Sequence, residues 1–387
     1  MRYQLKLLVI LVFFLGCKEK KEKVSASEKQ IQVEFNPNIH TSHIMELFVW
    51  PGNYPTRPII IEAQEYFEPY KEHPAIKFSD SLLKNDIIYF DELSEILLYL
   101  DDLPSTSFKY SLENSPYSDR IDIIQVWVKK LSNFFVEAKV DSFLTKHKEF
   151  YVGAKQEVLK NLPPKNFAKL IEEYYREKKL GYIIIPAPEM PTGGAYGQRG
   201  IGPYVFTNDG TLVYQIISAS LPVGKDSITN QNEKFGFDNK EFILRNSYHE
   251  FGHAFVNPIL AKEKNQRLIE KSKYLFTPEL QRVMLKQNYD NWSDCIAEHL
   301  VRLGEIRLAE RSGDKIWAKE LRQLHTNQLD FIFLPEFEEQ IIKYEGDISY
   351  ESFEAYLPEL LKVLDDFNSA TINDRITAHN NISYEKP

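Results

Sequence analysis

The chain has 387 residues, 43% of them hydrophobic and 27% charged, with a formal net charge of −9. These are globular values with apolar content ample for a sizeable core. The acidic balance argues against a nucleic-acid partner.

The N-terminus is not expected to join the fold. "MRYQLKLLVILVFFLGC" has a basic start (Arg2, Lys6) and nine apolar residues, Leu7 to Leu15, before Gly16 and Cys17. Nine residues are too few to span a bilayer as a helix, which takes about 20, but they suit a signal h-region. The Gly16–Cys17 junction resembles a bacterial lipobox, although Phe14 and Leu15 depart from its usual residues. The expectation is a signal peptide over 1–16, lipidation at Cys17, and a protein lipid-anchored to a membrane of the bacterial cell envelope. Residues 17–30, including "KEKKEKVSASEKQ", then form a charged, solvated tether. With Cys17 lipidated, Cys295 has no disulfide partner.

From 31 to 161 the pattern is mainly helical, as in "DELSEILLYLDDL" and "RIDIIQVWVKKLSNFFVEAKVDSFL", with apolar residues three and four apart. "NLPPKN" at 161–166 breaks it, and a boundary is placed there, dividing 31–161 from 162–387. "GYIIIPAP" (181–188) and "TLVYQIISAS" (211–220) read as strands flanking a turn-rich stretch, with Asn208–Asp209–Gly210 as a hairpin signal. They predict a small antiparallel sheet. After about 238 the pattern is helical again, so the class is α+β.

"SYHEFGHAFVNP" contains His249, Glu250 and His253 as H-E-x-x-H. Asp238 and Glu241 form a capping box that predicts the helix start, and Asn257–Pro258 predicts its end. Four residues apart, the two histidines stack on one helix face and can turn a nitrogen each to one metal ion. Glu250, rotated about 100° further, suits a metal-bound water better than the metal. Gly252 inside the helix suggests close approach of another backbone.

Catalytic zinc usually takes three protein ligands and keeps one position for water. The metzincin extension is absent, since Val256 and Ile259 stand where its Gly and third His would be. "NWSDCIAEHLVRLGEIRLAERSG" predicts a second helix, capped by Asn291 or Ser293 and ended by Gly313, with Glu298 bordering its buried side. His299 and Glu270, then Asp294, are alternative third ligands. Cys295 reads as a small buried hydrophobe, and His40, His43, His73, His147 and His379 as ordinary polar residues.

On His249, Glu250, His253 and Glu298, the chain resembles gluzincin zinc metallopeptidases over roughly residues 181–310. The resemblance implies a mainly helical, two-lobed zincin-like fold, with the sheet ahead of the H-E-x-x-H helix. It implies Zn2+ on His249, His253 and Glu298, Glu250 as general base, and a peptide or protein substrate. A later Tyr or His would stabilise the oxyanion, with Tyr344 and His325 as candidates. The acidic residue that often follows the ligand Glu is replaced four positions on by Arg302, and Asp294 is the candidate to orient a histidine instead. In layout the chain also resembles lipid-anchored Bacteroidota proteins grouped as a domain of unknown function with an H-E-F-G-H segment. The alternative is a non-catalytic envelope binding lipoprotein with a structural or vestigial metal site.

Overall fold

A computed structural model describes residues 29–50, 57–190, 199–220, 224–225 and 233–384. Cys17 and most of the tether lie outside the described residues, as does 191–198 of the turn-rich stretch. The class is α+β, mainly helical with one small sheet. None of the described helices is long and apolar enough to cross a membrane.

The sheet is mixed rather than antiparallel. Strands β1 (Gln32–Val33), β2 (Gly181–Pro186) and β5 (Gly210–Ile217) run parallel to their neighbours. β3 (Gly200–Ile201) and β4 (Tyr204–Thr207) pair antiparallel with β5 in one continuous register. The hairpin between β4 and β5 turns at Asn208–Asp209, as its sequence predicts. The parallel half was only partly legible in the sequence. β1 is two residues long and lies far from its partner in sequence. The continuous apolar runs of β2 and β5 signal strands buried on both faces, the usual mark of parallel pairing.

Both faces are indeed covered, and the sheet is the wall between two hydrophobic cores. Ile183, Ile185, Tyr214 and Ile216 face a core built from the N-terminal helices up to Tyr151. Tyr182, Ile184, Val213 and Ile217 face the core of the later helices. The period-two alternation of side chains sends neighbouring residues into different cores.

The two helices of interest cross in the second core. The histidine helix, Lys240–Leu260, is capped by Asn239, whose side chain accepts from Phe242 N at 3.0 Å, and not by Asp238. It also continues through Pro258. Proline removes one N–H, but so near the end little is lost, and continuation buries Ile259 and Leu260. The glutamate helix, Trp292–Ser312, is capped by Asn291 and ends at Gly313, whose φ of 91° suits glycine.

Candidate metal centre

His249 and His253 face each other with Nε2 atoms 3.2 Å apart. From the glutamate helix Glu298 brings Oε1 to 3.4 Å from His253 Nε2 and Oε2 to 3.9 Å from His249 Nε2. Three donors at Zn–N and Zn–O lengths near 2.0–2.1 Å on tetrahedral corners would lie about 3.3 Å from one another. The trio therefore has nearly the spacing that one zinc ion requires. Oε2 of Glu298 is buried with no hydrogen-bond partner among the described residues, Arg302 Nη2 standing 3.5 Å away, and a bound cation would satisfy it directly. On donor chemistry and spacing alike, these residues fit zinc.

The rival ligands point elsewhere. Glu270 is exposed and pairs with Lys273 at 2.9 Å. His299 is sealed among Phe331, Phe333 and Phe337, with Nδ1 donating to Cys295 O at 2.7 Å. Asp294 lies in the first turn of its helix, its carboxylate accepting from Asn291 Nδ2 at 2.6 Å and its backbone N–H capped by Asn291 Oδ1. Cys295 is fully buried.

The residue that orients His249 is Glu305, not Asp294. His249 Nδ1 and Glu305 Oε1 hydrogen bond, which leaves Nε2 free to offer its lone pair toward Glu298 and His253. His325, on a π-helical turn at Gln323–Gln328, binds the other oxygen of Glu305 at 2.8 Å. His325 therefore supports the orienting carboxylate instead of facing the cleft. Tyr344 lies in the core with its hydroxyl donating to Tyr174 O at 3.0 Å, away from the centre. Glu305 follows Glu298 by seven residues, two turns along the same face, and that spacing was the signal available in sequence.

Arg302 occupies the place where an acidic residue was expected. It sits 3.5 Å from Glu298 Oε2 and 4.0 Å from Glu305 Oε1, donates to Tyr289 Oη at 3.4 Å, and lies over the Phe331 ring. One buried guanidinium thus counterbalances two buried carboxylates. Burial alone would raise Glu298, but His253, His249 and Arg302 outweigh it and hold it below its ordinary range. Burial likewise works against Glu305, yet His325 and His249 hold it well below. His249, which burial would lower, is raised to about 9 by Glu305 first and then Glu298 and Glu250. Burial lowers His253.

Glu250 differs from the other two glutamates. Burial pushes it up to about 7, with Glu298 and Asp91 adding to the rise and His249 opposing it. It makes no hydrogen bond among the described residues, and it is not one of the clustered donor groups. Above it passes the sheet edge. A Cβ on Gly200 would lie 2.6 Å from Glu250 Oε1 and inside contact of Asn246 Nδ2, and one on Gly202 would lie 2.7 and 2.8 Å from Glu250 C and Cα. The close backbone approach thus falls at these two glycines. At Gly252 a Cβ would meet only Val301 and Tyr175 side-chain atoms at 3.4 and 3.5 Å. Tyr175 presses instead on Gly304 of the glutamate helix, where a Cβ would collide with its hydroxyl.

The model of one protein family, DUF4932, a domain of unknown function, matches residues 41–363. The chain belongs to the DUF4932 family. The matched span takes in the helices on both sides of the sheet, the sheet from β2 onward, and all of His249, Glu250, His253, Glu298, Glu305 and His325. No curated protein and no solved structure matches the chain.

Proposed function

We propose that the protein is a zinc-dependent peptidase of gluzincin type. The observation that carries this is the division of labour at the cleft. His249, His253 and Glu298 converge at metal-ligand spacing, while Glu250 stands beside them, its pKa raised by burial and its carboxylate without a hydrogen-bond partner among the described residues. A purely structural site has no use for such a carboxylate. Zinc bound there would polarise the scissile carbonyl and bring a water toward a pKa near 7.

Glu250 takes the proton of the attacking water and passes it to the leaving nitrogen, so that the C–N bond is exchanged for a C–O bond. Burial, which raises its pKa, favours uptake of that proton. Glu305 and His325 keep His249 in the required tautomer. Gly200 and Gly202 bring the sheet edge onto Glu250, where an extended peptide can pair with the strand backbone.

Glu250→Gln tests the assignment. It should retain zinc in stoichiometric analysis while hydrolysis of a broad peptide library falls by roughly 10²-fold or more. Loss of zinc from this variant would contradict the role of Glu250. A zinc-loaded wild type that hydrolyses nothing in the library would overturn the peptidase reading.

A further inference from the structure

Among the described residues, the outer edge of the β3–β4 strand carries unpaired backbone groups at one end and paired ones at the other. Ser218 N donates to Arg199 O and Tyr214 N to Pro203 O, both at 2.9 Å. In this unbroken antiparallel register, residues 199, 201, 203 and 205 turn their backbone groups to β5. Gly200, Gly202, Tyr204 and Phe206 turn theirs outward.

The last two outward groups are already taken. Tyr204 N–H donates to Glu95 Oε2 at 3.3 Å, and Phe206 N–H donates to Tyr99 Oη at 3.0 Å. Both acceptors belong to the helix Phe90–Tyr99 of the N-terminal core. Glu95 is 7% exposed, Tyr99 0% and Tyr204 6%, so no chain can add to this stretch without opening that core. Gly200 and Gly202, in contrast, have no partner on their outward side among the described residues, and they are the positions lying on Glu250.

A strand advances about 3.4 Å per residue, so Tyr204 lies roughly 13 Å beyond Gly200, room for about two or three residues past the catalytic carboxylate. We propose that the cleft is closed at its Tyr204 end and that the protein is an exopeptidase, holding extended peptides by a free terminus and releasing fragments of about two or three residues. The N-terminal helical region thereby acquires a role, since its Glu95 and Tyr99 form the wall. The inference rests on the peptidase reading above and concerns the same site.

The test uses an equimolar library of linear ten-residue peptides in four forms: free, N-acetylated, C-amidated and doubly blocked. A head-to-tail cyclised set completes it. With zinc-loaded wild type, mass spectrometry should show stepwise release from one terminus. Blocking that terminus should slow the reaction by roughly 100-fold, the scale of discrimination that steric exclusion supplies, and cyclic peptides should survive. Internal cleavage of doubly blocked or cyclic peptides at the rate of the free ones would overturn the proposal.

Binding of the same peptides to Glu250→Gln, followed by fluorescence anisotropy, separates this inference from the reading beneath it. Preference for one free terminus supports the closed cleft whether or not the wild type turns over. Equal affinity for blocked, cyclic and free forms overturns it even if hydrolysis is found.

Discussion

Two glycine-to-alanine substitutions, two residues apart, should fail in different ways. Neither Gly200 nor Gly202 has a positive φ, so alanine suits their backbones, and only space is at issue. At Gly202 the added methyl would overlap the backbone of Glu250, at 2.7 Å from C and 2.8 Å from Cα. A buried, hydrogen-bonded helix turn cannot rotate aside, so strand and helix must separate by several tenths of an ångström or more. Overpacking costs about 1–3 kcal/mol in general, and a rigid obstacle places Gly202→Ala at the top of that range or above. With an unfolding entropy of about 2 cal/mol/K per residue, a chain of this length loses roughly 1–2 °C of Tm per kcal/mol, hence about 3–6 °C. At Gly200 the obstacles are the tips of Asn246 and Glu250, which can swing away. Gly200→Ala should cost about 1 kcal/mol or less but displace the base, and a misplacement near 1 Å lowers turnover by up to about 10²-fold. Thermal melts with and without chelator, together with peptide hydrolysis, read both. If Gly202→Ala melts with the wild type, the strand does not lie on Glu250 as described and the argument fails.

Two more expectations concern the buried carboxylates. Glu298→Gln should weaken zinc binding by more than about 100-fold, and Glu305→Gln, which acts only through His249, by about 10–100-fold; chelator competition measures both, and a Glu298→Gln variant with wild-type affinity would remove it from the ligand set. Glu95 is pushed by burial from 4.5 to about 8, against hydrogen bonds from Tyr204 N–H and Tyr117. The folded chain therefore keeps a proton that the unfolded chain releases above 4.5, so stability should fall as pH rises from about 4.5 to 8 and then level off, by at most roughly 5 kcal/mol at about 1.4 kcal/mol per pH unit. Glu95→Gln should flatten that slope in urea unfolding at pH 5, 6.5 and 8, and an unchanged slope would show that the Glu95 carboxyl is not the titrating group.

What the sequence determined by itself is what local geometry dictates. The 3.6-residue turn alone stacks His249 on His253 and rotates Glu250 away, and the glutamate helix runs from Asn291 to Gly313 because a side-chain cap and a left-handed glycine act within a few residues. The Asn208–Asp209 hairpin turn is local in the same sense. Tertiary structure decided whatever depends on a distant partner. Glu298 was one of several candidate carboxylates and imidazoles until the helix crossing turned it, and not Glu270 or His299, toward the histidines. Glu305 could be suspected from its seven-residue spacing, but its bond to His249 comes from the helix crossing, and its support by His325 from a π-helical turn. Asp238 lost the cap to its neighbour Asn239, and Pro258 stayed inside its helix, because burial of Ile259 and Leu260 outweighs one missing N–H. The parallel pairing of Gln32–Val33 with β2 joins segments about 150 residues apart, and two residues carry no periodicity to announce it. Gly200 and Gly202 read as turn glycines in a turn-rich stretch. Only the packing of strand on helix shows that they are bare so that the sheet edge can rest on Glu250.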